Sequence, residues 1–450
     1  MNLLVKDKCF YEKMAVIAIP ISLQSMITIG VNMTDTVMVG MLGETSLSAT
    51  ALANQFVNIY QICCMGIAMG ASVLTSRFWG MQDITSLKKT ITLMLRLCIV
   101  LAVLFMLPTI LIPQLLMRMY TNDSAVIAQG VQYFKWMVYC YFLQGMTLTC
   151  TIVLRSVGQV NFPLFTSIGS FFVNILFNYM FIFGKLGVPR MEVEGAGVGT
   201  LIARVFEFSL ICGYFLFVDR KIGYRLKDLR MKCNSLIKDY VSISIPVFVS
   251  DSLLALGTSA VAMVMGRIGT GFVSANSITV VTQQLTTVII QGICHASCIM
   301  TGHTLGHGER EKAQQQACQY DRYRHGGKAW GSRPIIGLYN ITPETAQIAG
   351  ELMDAIAFIV IFQSMNSILT KGVLRGGGDT KFLMVADIIF LWAASLPLGI
   401  LAGLVWHLDA FWIYVFLKID QICKSIWCVF RLRSGKWIKA FSKEKMNHAQ

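Results

Sequence analysis

Apolar stretches of about 20 residues or more recur along the chain and are separated by short polar segments. A helix of about 20 mostly apolar residues crosses a bilayer and satisfies its own backbone hydrogen bonds there. The alternating pattern of a membrane β-barrel is absent from the sequence. We therefore predict an all-α polytopic membrane protein with eleven clear spans, at 14–40, 50–76, 90–117, 126–153, 163–184, 195–218, 240–266, 272–302, 346–373, 382–405 and 409–432.

The composition supports the same class. Of the 450 residues, 55% are hydrophobic and 14% are charged, and the mean hydropathy is +0.61. A soluble protein carries about 25% charged residues, so a cytosolic enzyme, a nucleic-acid-binding protein and a secreted disulfide scaffold are excluded. The 13 Cys are scattered without metal-ligand spacing, and we expect no metal site and no structural disulfides.

Lys and Arg are concentrated in alternate loops, and the most basic segment is 219–239. The positive-inside rule therefore places both termini in the cytoplasm and explains the net charge of +14 by topology. The predicted organisation is an N-lobe at 1–218, a basic cytoplasmic linker at 219–239, a C-lobe at 240–433 and a basic cytoplasmic tail at 434–450.

An internal repeat divides the chain into two like halves. Residues 244–269 resemble 18–43, and Leu-Arg-Ser-Val-Gly at 154–158 matches Leu-Arg-Gly-Gly-Gly at 374–378 with an offset of 220 residues. The halves are thus predicted to be six-helix lobes related by a pseudo-two-fold axis along the membrane normal. Five further pairs share an offset of 226 residues: Pro20 and Pro246, Gly40 and Gly266, Gly43 and Gly269, Gly66 and Gly292, and Gly80 and Gly306.

The same repeat predicts an abnormal ninth span. The third span of the first half has its counterpart at about 316–337, which is polar. Residues 321–331 read one base later can encode an apolar series, so a frameshift or small deletion is one hypothesis and a naturally divergent segment is the other. The inactive product of a damaged transporter gene therefore stays an alternative function.

Five motifs together resemble the multidrug and toxic compound extrusion (MATE) family, in its DinF-like bacterial branch, although each motif alone is weak. The resemblance implies a twelve-helix fold, a place in the bacterial cytoplasmic (inner) membrane, and export of small organic, cationic molecules by alternating access. It also implies antiport coupled to H⁺ or Na⁺, no cofactor beyond that ion, and no nucleic-acid partner; we expect a monomer. The motifs are P-x14-D-T-x-M-V-G-x-L-G from Pro20 to Gly43, L-R-S-V-G-Q at 154–159, N-x3-N-Y-x-F-I-F-G at 174–184, G-A-G-V-G-T at 195–200 and L-R-G-G-G-D-T at 374–380.

Asp35 is the leading candidate for a coupling residue. It lies in an apolar run, where an unpaired acid costs ~2.5–3.5 kcal/mol, and such a carboxyl can exchange a proton or ligate Na⁺; the alternative is an acid at the membrane interface. Asn174 and Asn178 lie one helical turn apart, and the resemblance implies that they form a cation site with Asp35 and Thr200. Because some members carry an acid where Asn178 stands, this site holds one charge instead of two.

Pro20 removes a backbone hydrogen bond from the first span, so it is predicted to be a conformational hinge, with a fixed kink as the alternative. Other polar side chains within spans are predicted either to line a substrate cleft or to join helices by hydrogen bonds. These are Gln24, Asn54, Gln55, Asp251, Gln283 and Gln284.

Two other functions compete with an exporter. A lipid-linked saccharide flippase of the same superfamily would need several Arg for pyrophosphate, and the spans hold few, among them Arg96 and Arg204. A membrane-embedded enzyme would need a catalytic motif, and the sequence has neither H-E-x-x-H nor G-x-S-x-G. The chain is therefore predicted not to be an enzyme.

Overall fold

The computed structural model describes residues 8–185, 187–268, 270–320 and 343–439, and within them the chain is helical with no β-strand. This confirms the predicted all-α class. The helices form two compact units, which we call the first unit (residues 23–244) and the second unit (1–22 with 245–450). The lobe, linker and tail limits predicted from the sequence remain predictions.

The first unit is built from long helices with short connections. Asp83 and Asp123 cap α3 and α5, accepting backbone N–H groups of Ser86 at 3.0 Å and Ala125 at 2.9 Å, which satisfies donors that have no partner within the helix. The helices are α1 (Lys8–Gly40), α2 (Glu44–Gly80), α3 (Ile84–Leu111), α4 (Pro113–Arg118), α5 (Ser124–Ser156), α6 (Asn161–Phe183) and α7 (Glu192–Gly213), which continues as a π-helix at Tyr214–Val218.

The basic segment after α7 folds back onto α3. Lys88 Nζ lies 2.9 Å from an Asp228 carboxylate oxygen, and Arg96 donates to the backbone carbonyl of Leu229 at 2.6 Å. Burial alone would raise the pKa of Asp228, but the hydrogen bond from Lys88 and the backbone amide of Arg225 hold that pKa below its ordinary value. This segment is therefore an ordered part of the first unit.

The second unit repeats the helical plan with more interruptions. Its helices are α8 (Asn234–Ile268, which starts in the first unit), α9 (Thr270–Gly306), α10 (Arg310–Tyr320), α11 (Pro343–Ser367), α12 (Thr380–Ile388), α13 (Leu396–Ile400), α14 (Ala410–Leu417) and α15 (Ile419–Arg433), with π-helical turns at Ile368–Leu374, Ile389–Ser395 and Leu401–Val405.

Ten helices in the described part of the chain are long and apolar enough to cross a membrane, and they coincide with the first ten predicted spans. The eleventh predicted span, 409–432, is not a single helix. The backbone breaks at Lys418 (φ −118°, ψ 15°), and the amide of Asp420 bonds to Ser395 Oγ at 2.8 Å. A side-chain acceptor replaces the carbonyl of the preceding turn, which is the physical reason for the break.

Two sequence predictions meet the limits of the description differently. The abnormal ninth span at 316–337, with its frameshift hypothesis, falls mostly on residues 321–342, which lie outside the described residues. Pro20 lies inside α1, which is helical from Lys8 to Gly40. Its role as a hinge stays a prediction.

Candidate functional site

A polar cavity of about 350 Å³ lies within the first unit, among α1, α2, α5, α6 and α7. Its wall mixes amide, hydroxyl and charged side chains with aliphatic ones. Polar groups inside a membrane helix bundle are costly unless they meet one another or water, so they mark ligand or ion pathways. The polar lining residues include Asn32, Asp35, Asn54, Asn58, Gln61, Gln144, Ser167, Ser170, Asn174, Thr200, Arg204 and Glu207.

Asp35 is held at this cavity by the amides of α6. Asn178 Nδ2 donates to Asp35 Oδ1 at 2.7 Å and lies 3.3 Å from Asn174 Oδ1. The two Asn are 2% and 1% exposed, so their amides are fixed by packing, and their spacing of one turn places both on one face of α6. The structure therefore brings together the acid and the two amides singled out in the sequence.

The amide of Asn178 also leaves an acceptor free. Its Oδ1 is buried, and in the part of the chain that the structure describes it has no hydrogen-bond partner. A buried unpaired acceptor costs roughly 1–3 kcal/mol, and oxygen atoms of this kind ligate hard cations. Thr200, on α7, lines the same cavity. These oxygens could therefore accept a proton's hydrogen bond or join a Na⁺ shell around Asp35.

Two glycines of the G-A-G-V-G-T motif allow α7 to approach α6 closely. A Cβ at Gly195 would lie 2.6 Å from the backbone of Phe181, and a Cβ at Gly199 would lie 2.9 Å from the backbone nitrogen of Asn178. Only glycine fits at these contacts. The sequence contained this motif, but its spacing did not show that Gly199 positions Asn178.

An ion pair that the sequence analysis missed lies on α7. Arg204 Nη1 and Glu207 Oε2 are 2.9 Å apart, and both residues line the cavity. With an ionised Asp35, the charged lining groups sum to −1. Two ionisable residues three positions apart in an apolar helix were the available signal, because such a pair shares one helix face.

The remaining candidates of the first unit divide into two groups. Asn54 lines the cavity and accepts from Tyr133 Oη at 3.2 Å. Gln24 is buried away from the lining, donates to Ser167 Oγ at 2.8 Å and accepts from Arg155, so it joins three helices. Gln55 is exposed and does not line the cavity.

The candidates of the second unit form helix-to-helix contacts. Arg375 Nη2 lies 3.0 Å from Asp251 Oδ1. Gln283 donates to Gln363 Oε1 at 3.1 Å and accepts from Tyr414 Oη at 3.2 Å. Gln284 is exposed. Across the described residues, no cluster of three or more His, Cys, Asp or Glu is placed to hold a metal ion.

A multi-span helical bundle with a polar cavity around one intramembrane acid is the architecture of a secondary membrane transporter. A sequence profile described as MatE matches residues 20–180. The uncharacterized transporter YisQ of Bacillus subtilis is 24% identical over 420 residues, covering 90% of each chain. The probable multidrug resistance protein NorM of Thermotoga maritima is 22% identical over 442 residues, covering 94% of this chain and 92% of its own.

The solved structure of a MOP superfamily transporter from Pyrococcus furiosus superposes with a TM-score of 0.82, at 18% identity, and covers 94% of this chain and 96% of its own. At that identity the superposition shows the fold. With the profile match and the full-length relatives, it establishes that the chain belongs to the MATE family. Membership of the DinF-like branch stays a prediction.

Proposed function

We propose that this chain is a cation-coupled antiporter that exports small organic molecules across the bacterial cytoplasmic membrane by alternating access. The observation that carries the proposal is the hydrogen bond from Asn178 to Asp35 at the polar cavity of the first unit. Both termini are proposed to be cytoplasmic, and the protein is proposed to act as a monomer without enzymatic activity.

The coupling follows from the charge of one carboxylate. When Asp35 is ionised, the N–H of Asn178 makes a charge-assisted bond that ties α1 to α6. A bound H⁺ or Na⁺ neutralises the acid and weakens that tie. A cation that binds one conformation more tightly shifts the equilibrium between conformations by its difference in affinity. Pro20 is the proposed place where α1 changes shape.

The charge of the cavity suggests the cargo. An excess of one negative charge among the lining side chains favours a cationic organic molecule. Relatives across the full length are named multidrug resistance proteins, which supports drug-like cargo. The same acid would then serve the coupling ion and the cargo in turn, because cation entry removes the charge that holds the cargo.

The test uses the full chain in proteoliposomes loaded with a cationic dye. An inward-directed gradient of H⁺ or of Na⁺ is imposed separately, and dye movement is followed by fluorescence. The wild type is expected to move dye under one of the two gradients, and Asp35→Asn is expected to abolish this movement. Glu44→Gln is the matched control, because Glu44 is an exposed acid outside the cavity.

Two results would contradict the proposal. Gradient-driven dye movement that survives in Asp35→Asn would remove the coupling role of the acid. A folded wild type that moves no dye under either gradient would favour the inactive product of a damaged gene.

A further inference from the structure

The second unit holds its own charged cavity, of about 290 Å³. Its wall corresponds to the wall of the first cavity through the internal repeat, although the charges are redistributed. With the offset of 226 residues, Asp35 becomes Val261; with the offset of 220, Ser167, Thr200 and Arg204 become Asp387, Asp420 and Lys424, and each of these residues lines its own cavity.

Hydrogen bonds support this correspondence. In the first unit Gln24 donates to Ser167 at 2.8 Å. In the second unit the equivalent pair is Ser250 and Asp387, and Ser250 Oγ donates to that carboxylate. The same contact between helices thus recurs, with a carboxylate in place of a hydroxyl. The two cavities are therefore repeat-related sites with different chemistry.

The acids of the second cavity are all neutralised by bases. Lys424 Nζ is 2.9 Å from Asp387 and 3.1 Å from Asp420, and its side chain is 2% exposed. Asp251 is paired with Arg375. These contacts account for three carboxylates and two cations.

Two more cations line the same cavity. The ammonium groups of Lys371 and Lys418 have no hydrogen bond or ion pair within residues 8–185, 187–268, 270–320 and 343–439. Four basic side chains thus stand against three acidic ones, and the site carries a net charge of +1. A cavity with this charge attracts an anion, whereas the cavity of the first unit attracts a cation.

Buried unpaired atoms point to a ligand as well. Arg375 Nε and Asn366 Oδ1 are buried and have no hydrogen-bond partner among the described residues, and both side chains, each 5% exposed, line the cavity. A buried unmade hydrogen bond to a charged group is expensive. The helix break at Lys418 also places the N-terminus of α15 at this wall, and such an end favours negative charge.

We propose that this cavity binds the carboxylate of a small organic anion or zwitterion. A ligand with one negative charge neutralises the site, whereas a phosphate dianion would exceed its charge. Leu254, Val261 and Leu391 provide an apolar wall for the rest of the ligand. The volume suits a molecule with one ring, because drug-sized ligands occupy pockets of about 300–1,000 Å³. As a substrate site this cavity rests on the proposed export function; as a binding site it does not.

The test measures binding to the purified full chain in nanodiscs of zwitterionic lipid, by calorimetry, with three probes. Benzoate carries the proposed group, benzamide is its neutral counterpart, and phenyl phosphate tests the competing anion. Benzoate is expected to bind at least about tenfold more tightly than benzamide, because only the carboxylate meets Lys418 and Arg375.

Variants assign the site. Lys418→Met is expected to weaken benzoate binding about tenfold, and Lys418→Arg is expected to retain it. Lys371→Met, which changes an exposed side chain, is expected to weaken binding by a few-fold and serves if Lys418→Met does not fold. Lys436→Met removes an exposed charge outside the cavity and should leave benzoate binding unchanged, as should Asp35→Asn.

Equal affinity for benzoate and benzamide would overturn the proposal, and so would unchanged benzoate binding in both Lys418→Met and Lys371→Met. Tighter binding of phenyl phosphate than of benzoate would overturn the assignment to a carboxylate. The export function fails separately: if no cation gradient moves dye but benzoate binds as expected, the site stands and the antiporter does not.

Discussion

Gly199 lies so close to Asn178 that a Cβ at position 199 would overlap Asn178 Oδ1 and lie 2.9 Å from its backbone nitrogen. The position of the amide that holds Asp35 is therefore set by a glycine on the neighbouring helix. A methyl group there has to displace α6 or turn the amide away from the acid. This relationship makes Gly199 a positioning residue for the proposed coupling site.

Gly199→Ala is accordingly expected to reduce gradient-driven dye export at least about tenfold and to destabilise the protein by about 1–3 kcal/mol through overpacking. Thermal unfolding can be followed with a thiol-reactive dye, because most of the free cysteines are buried. Gly213→Ala is the matched control on the same helix, since a Cβ there has open space. Equal export by the two variants would contradict the positioning role.

Asn178→Ala is expected to impair export by tenfold or more, because it removes the N–H that Asp35 accepts. A hydrogen bond to a charged group contributes about 1.5–3 kcal/mol. Asn161→Ala, at an exposed position near the start of α6, tests the same change without touching the site. Export by Asn178→Ala at the wild-type rate, measured under the same gradient, would show that the amide does not support coupling.

Glu207→Gln is expected to raise the KM for a cationic dye several-fold while changing kcat little. The substitution leaves Arg204 without its partner at 2.9 Å and removes one negative charge from the cavity wall. Initial export rates over a range of dye concentrations separate the two constants. A neutral cargo of similar size should show no change in KM, and a matching rise for the neutral cargo would mean that the substitution distorts the cavity.

Lys424→Met is expected to destabilise the second unit by about 3–5 kcal/mol, because it leaves Asp387 and Asp420 as buried carboxylates without a counter-charge. The double variant Lys424→Met with Asp420→Asn should recover part of this loss, since one uncompensated charge is removed. The unfolding midpoint of each variant is the measurement. Additive effects of the two substitutions would argue against an interaction between these side chains.

The stability contribution of Asp228 is expected to persist in mild acid. Its folded-state pKa is lowered by Lys88 and the Arg225 amide, so its stabilisation is present above the pKa of the unfolded chain and is lost as the pH falls through the folded pKa. For a pair at the surface the contribution is about 0.5–1 kcal/mol.

The difference in unfolding midpoint between wild type and Asp228→Asn should therefore be constant from about pH 8 to pH 5 and shrink below about pH 4. A difference that vanished by pH 6 would mean that Asp228 is not held ionised by its partners. The opposite substitution, Lys88→Met, should show the same plateau, because it removes the other member of the pair.

The order of apolar and polar residues by itself determined the helical class, ten of the spans and the repeat, because a helix in lipid has to satisfy its hydrogen bonds within its own segment. The same reasoning singled out Asp35, Asn174 and Asn178, since polar groups stand out in an apolar helix and a spacing of four residues fixes their face. The break at Lys418 was not predictable in this way, because it depends on Ser395 from a distant part of the chain.

Only the tertiary structure decided which polar residues meet. Gln24 and Asp251 were singled out on the same grounds as Asp35, yet Gln24 bonds to Arg155 and Asp251 to Arg375, away from the acid at the first cavity. The role of Gly199 and the charge of the second cavity likewise follow from packing. A sequence lists charges and their spacing along one helix, but the partner of each charge comes from another helix and is set only when the helices pack.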